Sequence, residues 1–199
     1  MRIVLATNNK HKADEISHVL GMDHLEFVTL KEAGIESDPS EDADTFEGNA
    51  RIKALAAREA AGPIAVMADD SGLEVDALDG APGVYSSRFA GEDGNDAANN
   101  ALLFKRLEDV PDEDRTARFV CTLVFIDEDG TELVSRGSVE GKIGYELRGE
   151  EGFGYDPLFF PDEYKGEKTF AEVPQSEKNL ISHRARALQK MKELLQERK

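Results

Sequence analysis

The opening segment constrains the chain more than any other. Arg2-Ile3-Val4-Leu5-Ala6 is a short apolar run of strand-forming residues and reads as a buried strand. Thr7-Asn8-Asn9 follows as a polar turn. From Lys10 onward, Ala13, Ile16, Val19 and Leu20 fall at helical spacing, with Gly21 as the stop. A strand that passes through a polar loop into a helix is the building unit of α/β sheets, and such sheets bind ligands beyond the C-terminal ends of their strands. The polar loop is therefore the first candidate site.

The rest of the chain extends this unit. Residues 25–30 read as a second strand, 37–44 as an acidic loop, and 45–61 as a long Ala-rich helix closed by Gly62-Pro63. Residues 64–68 read as a strand ending in Asp69-Asp70-Ser71-Gly72. A turn at 80–83 and a helix at 96–107 follow. Strands 117–126 and 131–140 then flank Asp127-Glu128-Asp129-Gly130, a hairpin signal. Residues 149–157 form a glycine-rich loop, and a terminal helix with a basic beginning runs from 176 to the end. This order predicts a mixed sheet rather than a purely parallel one. A length of 199 residues suits one domain, with room for two lobes.

Composition narrows the function. Hydrophobic content of 40% and charged content of 33% describe a soluble globular chain. No apolar run is long enough to span a bilayer, the N-terminus lacks signal-peptide features, and the single Cys121 cannot form an intramolecular disulfide. A cytoplasmic protein without membrane partners is expected. With 41 acidic against 24 basic residues, the net charge of −17 repels polyanions and disfavours nucleic acid as a partner. A phosphorylated small molecule would meet the same field. Its site must gather local cations and recruit a divalent metal.

Several groups could do so. A helix N-terminus attracts anions, and Asn8, Asn9, Lys10 and Lys12 surround the first one. The loop is not a P-loop, since GxxxxGK[ST] is absent. Asp69 and Asp70 at a strand end are costly to juxtapose without a counter-charge, which Mg²⁺ would supply; an Asx turn accounts for the same residues. Spacing alone leaves Glu41 indistinguishable as a second ligand from Glu36, Asp38, Asp42 and Asp44. Lys53 lies near the core face of its helix, marked by Phe46, Ala50 and Ala57. Phe153-Gly154-Tyr155-Asp156 joins glycines that permit close approach to aromatics that can stack on a base or anchor a core. Lys178 sits one helical turn from Ser182-His183-Arg184, a set of donors suited to purine carbonyls. His11, His18 and His24 show no zinc-ligand pairing, and Cys121 lacks an evident base.

Together the stretches LATNNKHK, TFEGNARIKA, ADDSGLEVDALDGAPGVYSSRFAGE, RTARFVCTLVF, GFGYDPLFF and EKNLISHRARAL resemble the inosine/xanthosine triphosphate pyrophosphatase family. They cover nearly the whole chain in the family's order. The resemblance implies an elongated mixed β-sheet flanked by helices, an α/β fold with two lobes around a central cleft, and a homodimer. It implies Mg²⁺-assisted hydrolysis of ITP, dITP or XTP to monophosphate and pyrophosphate. Carried over by position, Thr7, Asn8, Asn9, Lys10, His11, Lys12 and Lys53 would hold the triphosphate, and Glu41 and Asp70 the metal. Asp70 would be the general base and Ser71 a substrate contact. Phe153, Gly154, Tyr155 and Asp156 would form the base-stacking loop, and Lys178, His183 and Arg184 would read the base. A pyrophosphatase of modified pyrimidine or methylated nucleotides and a catalytically silent nucleotide sensor are the competing readings. The base loop and terminal-helix motifs argue against the first, and intact Asp69-Asp70-Ser71 against the second.

Overall fold

The computed structural model describes every residue except Asp23 and Lys199, and for His11 only the backbone. Its six strands are β1 (Arg2–Leu5), β2 (Glu26–Thr29), β3 (Val66–Val75), β4 (Thr116–Ile126), β5 (Glu132–Ile143) and β6 (Phe159–Pro161). They form one sheet in the order β2-β1-β3-β4-β5-β6. Strand β1 is parallel to β2 and β3, whereas β6 is antiparallel to β5, so the sheet is mixed as the element order predicts. The helices are α1 (Lys10–Leu20), α2 (Leu30–Ala33), α3 (Phe46–Ala61), α4 (Asp96–Arg106), α5 (Gln175–Ile181) and α6 (His183–Glu197). Among the described residues, no helix is long and apolar enough to cross a membrane.

The chain divides into two compact units. The first comprises Met1–Asp70, Cys121–Gly137 and Arg184–Lys199; the second comprises Ser71–Val120 and Ser138–His183.

In the first unit, strand alternation separates two core layers. Ile3, Leu5, Met67, Leu123 and Phe125 pack with Ile16 and Leu20 of α1 and Leu188 and Met191 of α6. Val4, Val66, Ala68 and Val124 pack instead with Ala50, Ala54 and Ala57 of α3, whose small side chains bring that helix close to the sheet. Fully burying an Ile or Leu in such a layer contributes about 1.5–3 kcal/mol. Helices α1 and α3 start on capping side chains. Asn9 accepts from the Lys12 backbone N–H at 3.2 Å, and Thr45 from that of Gly48 at 3.0 Å. Each such cap is worth about 1 kcal/mol. Gly21 ends α1 at φ 35, the left-handed conformation glycine tolerates best.

In the second unit, Phe119, Phe159 and Phe170 form an aromatic centre with ring centroids 4.8–6.0 Å apart. Arg115 is buried beside it and donates to the carbonyls of Leu107, Ile143 and Gly144.

Two expectations about local structure are corrected. The strand expected to stop at residue 68 runs on to Val75, so Asp69-Asp70-Ser71-Gly72 is extended backbone rather than a terminal turn. The single terminal helix expected from residue 176 is two helices. Ser182, extended at φ −61 and ψ 155, closes α5 and precedes α6. Serine is well suited to the residue before a helix, so the break has a local cause.

Candidate active site

The two-residue period of β3 sorts the adjacent aspartates onto opposite faces. Asp69 continues the row of Ala65 and Met67, which faces α1 and α6; Asp70 continues the row of Val66 and Ala68, which faces α3. Their partners follow. Both carboxylate oxygens of Asp69 accept from Lys12 Nζ, at 3.1 and 3.0 Å, and Arg184 Nε lies 3.6 Å away. Asp70 accepts from Asn49 Nδ2 at 3.2 Å on Oδ2, and its Oδ1 lies 3.4 Å from Lys53 Nζ. The pair is therefore not a shared dicarboxylate.

The two carboxyls also differ in proton affinity. Burial alone would raise Asp69, but the fields of Lys12, Arg184 and Lys53 outweigh it and hold the group well below the usual carboxylate range. Asp70 is shifted the other way: burial, together with Glu41 and Asp69, outweighs Lys53 and the Asn49 hydrogen bond and raises it. Lys53 is raised as well, because Asp70, Asp69 and Glu41 overcome its desolvation. Asp69 is thus a fixed anion, whereas Asp70 has the higher affinity for a proton.

Lys53 Nζ also donates to Glu41 at 2.8 Å, so one ammonium bridges Glu41 and Asp70. This contact distinguishes Glu41 from Glu36, Asp42 and Asp44. Lys12, Lys53, Glu41, Asp69, Thr7 and Asn8 line a pocket of about 220 Å³ that Asp38 also reaches. Asn8 Oδ1 is occupied by the Lys31 backbone N–H at 3.0 Å, which leaves its amide N–H groups as the free end. Thr7 Oγ1 accepts from the Asn9 backbone at 3.1 Å, and Lys10 is exposed on the first turn of α1. The side chain of His11 lies outside the described residues. Among the described residues, no group of three or more His, Cys, Asp and Glu side chains could hold a metal by itself.

Asn49 is a residue that sequence reasoning missed. It is 1% exposed, and besides holding Asp70 it accepts from the Ala43 backbone at 2.9 Å, tying the acidic loop to β3. In the sequence it is only an amide four residues after the Thr45 cap, with no motif of its own. Asn49→Ala is expected to lower turnover on the order of 10²-fold through misplacement of Asp70 and the Glu41 loop. Steady-state kinetics beside a thermal melt will separate this loss from unfolding.

The second unit holds the remaining candidates. Lys178 is buried, and its ammonium donates to Asp156 Oδ2 while lying 5.6 Å from the Phe153 ring centre and 5.2 Å from that of Phe170. Asp156 also accepts from the Phe153 backbone at 3.0 Å. Gly152 is required here: it adopts φ +79, and a Cβ would stand 2.1 Å from Asp156 Oδ2. Of the loop's two aromatics only Phe153 is available for stacking, at 70% exposed. Tyr155 is a core residue whose hydroxyl donates to Ser86 O at 2.8 Å. Gly154 is held through its N–H to Asp96 and its carbonyl to Asn100. His183 stacks on Phe119 with centroids 5.1 Å apart, and the Ser71 hydroxyl is buried without a hydrogen-bond partner. Arg184 falls in the first unit, where Glu15 accepts from it at 3.0 Å.

Comparison with known proteins decides the family. Residues 3–194 match the model of the Ham1 family. The chain belongs to the Ham1 family. It is 50% identical to a dITP/XTP pyrophosphatase of Clostridium perfringens, covering 98% of this chain and 97% of that protein. It is 52% identical to the dITP/XTP pyrophosphatase of Desulforamulus reducens, covering 98% and 96% respectively. The Ham1 protein of Staphylococcus aureus superposes with a TM-score of 0.91 at 38% identity over the whole of both chains. The mixed α/β sheet described above is thus a Ham1 fold, as the sequence resemblance implies.

Proposed function

We infer that this Ham1 chain is a nucleoside triphosphate pyrophosphatase that cuts ITP, dITP and XTP between the α- and β-phosphates. The products are the monophosphate and pyrophosphate, and the effect is to remove deaminated purines from the nucleotide pool. Relatives at about half identity that carry the name dITP/XTP pyrophosphatase support this reading. The observation that carries it is local. Lys12, Lys53, Glu41 and Asp69 line one pocket, and Lys53 reaches from it to Asp70, the carboxyl of higher proton affinity, which Asn49 holds in place.

Cutting a phosphoanhydride requires positioning and charge neutralisation more than covalent chemistry. The N–H groups at the start of α1, the Asn8 amide and the ammonium groups of Lys12 and Lys53 hold the phosphates. Glu41 and Asp70 already share one cation through Lys53, a hard-oxygen donor set that fits Mg²⁺ completed by phosphate oxygens and water. These two residues would hold the ion, which when bound supplies further neutralisation of the phosphate charge. Asp70 takes the proton of the attacking water on Oδ1, the oxygen that Asn49 does not engage and that Lys53 Nζ approaches only at 3.4 Å.

Base recognition falls to Phe153, which stacks, and to Lys178 and His183, which donate. A 6-oxo purine offers an acceptor to these donors, whereas the 6-amino group of adenine sets donor against donor. A polar site left unpaired in this way rejects the wrong substrate strongly. The proposal extends to a homodimer working in the cytoplasm, and sedimentation of the purified protein will test its dimeric part. A hydrolysis panel with Mg²⁺ tests the whole. We expect kcat/KM for ITP and XTP to exceed that for ATP by at least about 10²-fold. Equal rates on ATP or dTTP would overturn the assignment.

A further inference from the structure

We propose that Asp69 is a positioning residue for Lys12 and takes no part in metal binding or proton transfer. The proposal rests on the pyrophosphatase reading above and adds to it the separation of two adjacent aspartates.

Asp69 is 5% exposed, and both its oxygens already receive Lys12 Nζ. Arg184 approaches the same carboxylate from α6 at 3.6 Å and is itself held by Glu15 of α1 at 3.0 Å. Lys12, Asp69, Arg184 and Glu15 thus form a chain of alternating charge that closes to neutrality. It ties the first turns of α1 to β3 and to the start of α6. Lys12 and Asp69 both line the pocket, but Lys12 is the more exposed of the two, and Asp69 presents to it a carboxylate already engaged on both oxygens. A lysine tethered at two oxygens has lost most of its freedom before a phosphate arrives, and that preorganisation is what a phosphate-binding cation needs. To ligate a metal, Asp69 would have to release Lys12 and leave Arg184 short of counter-charge. Strand alternation also turns it away from the face that carries Asp70.

A double-mutant cycle on the full-length protein tests this with ITP. Asp69→Asn preserves size and one acceptor oxygen. We expect it to lower kcat/KM about 30-fold in the parent but less than about 2-fold in a Lys12→Met background, because residues acting as one unit are not additive. The half-saturating Mg²⁺ concentration should stay unchanged. A readout independent of catalysis is calorimetric binding of inorganic triphosphate in EDTA. Asp69→Asn and Lys12→Met should weaken it equally, and the double variant no further. If Asp69→Asn does not fold, Arg184→Gln enters the same cycle with the same expected non-additivity. Losses that multiply in the Lys12→Met background, or a raised Mg²⁺ requirement, would overturn the assignment. A parent enzyme that fails to hydrolyse ITP would instead overturn the functional reading itself.

Discussion

Asp70→Asn is expected to reduce kcat on ITP by roughly 10²–10⁴-fold, the range of a lost general base, while leaving the fold intact. Asparagine keeps the size of the side chain and an oxygen for Asn49 Nδ2, which sits 3.2 Å from Asp70 Oδ2. It removes the group proposed to receive the proton and the charge that Lys53 faces at 3.4 Å. Lys53 retains Glu41 at 2.8 Å, so no buried ammonium is stranded. The fold therefore has little reason to respond, and an unchanged melting temperature should accompany the kinetic loss. Turnover near that of the parent would contradict the role given to Asp70. The same substitution at position 69 should act through Lys12 alone, so the two neighbours form a matched pair of experiments.

The second large effect is expected at Lys178. It and Asp156 are both buried and bonded to each other in the core of the second unit. Lys178→Met leaves the Asp156 carboxylate with the Phe153 backbone N–H and no cation. Removing one member of a buried ion pair typically costs about 3–5 kcal/mol, whereas replacing both by apolar residues is often neutral. Denaturant midpoints should therefore fall sharply for Lys178→Met and recover in part when Asp156→Leu is added. Both variants should also lose preference for ITP over ATP if Lys178 is the donor to the 6-oxo group, as proposed. A stability change within experimental error, with selectivity retained, would show that the pair is neither structural nor base-reading.

The sequence and the structure agree where local chemistry and tertiary packing ask for the same thing. The strand–loop–helix at the N-terminus was legible because the continuous apolar run, the polar Thr7-Asn8-Asn9 turn and the stop at Gly21 all point one way. The β4–β5 hairpin was legible for the same reason, with Asp127 and Gly130 closing its turn. Two features were not. Asp69-Asp70-Ser71-Gly72 has the composition of a turn, yet it is drawn into β3 because neighbouring strands and buried cations reward the extended form. Strand propensity yields to such context. The consequence is chemical, since only an extended backbone sends the two aspartates to opposite faces. Ser182 likewise carries no long-range signal, but by interrupting the terminal helix it leaves Lys178 on α5 and Arg184 on α6 rather than on one continuous helix. Asn49 was invisible for a different reason: a buried amide on an Ala-rich helix has no motif of its own, and its value lies in the two partners that the fold brings to it.

Product analysis after incubation of the purified protein with ITP and Mg²⁺ probes the central claim most directly. Attack at the α–β bridge, as proposed, should yield one IMP and one pyrophosphate per ITP, with no orthophosphate, and Asp70→Asn should abolish both products together. IDP with orthophosphate, or equal release of pyrophosphate from ATP, would contradict it.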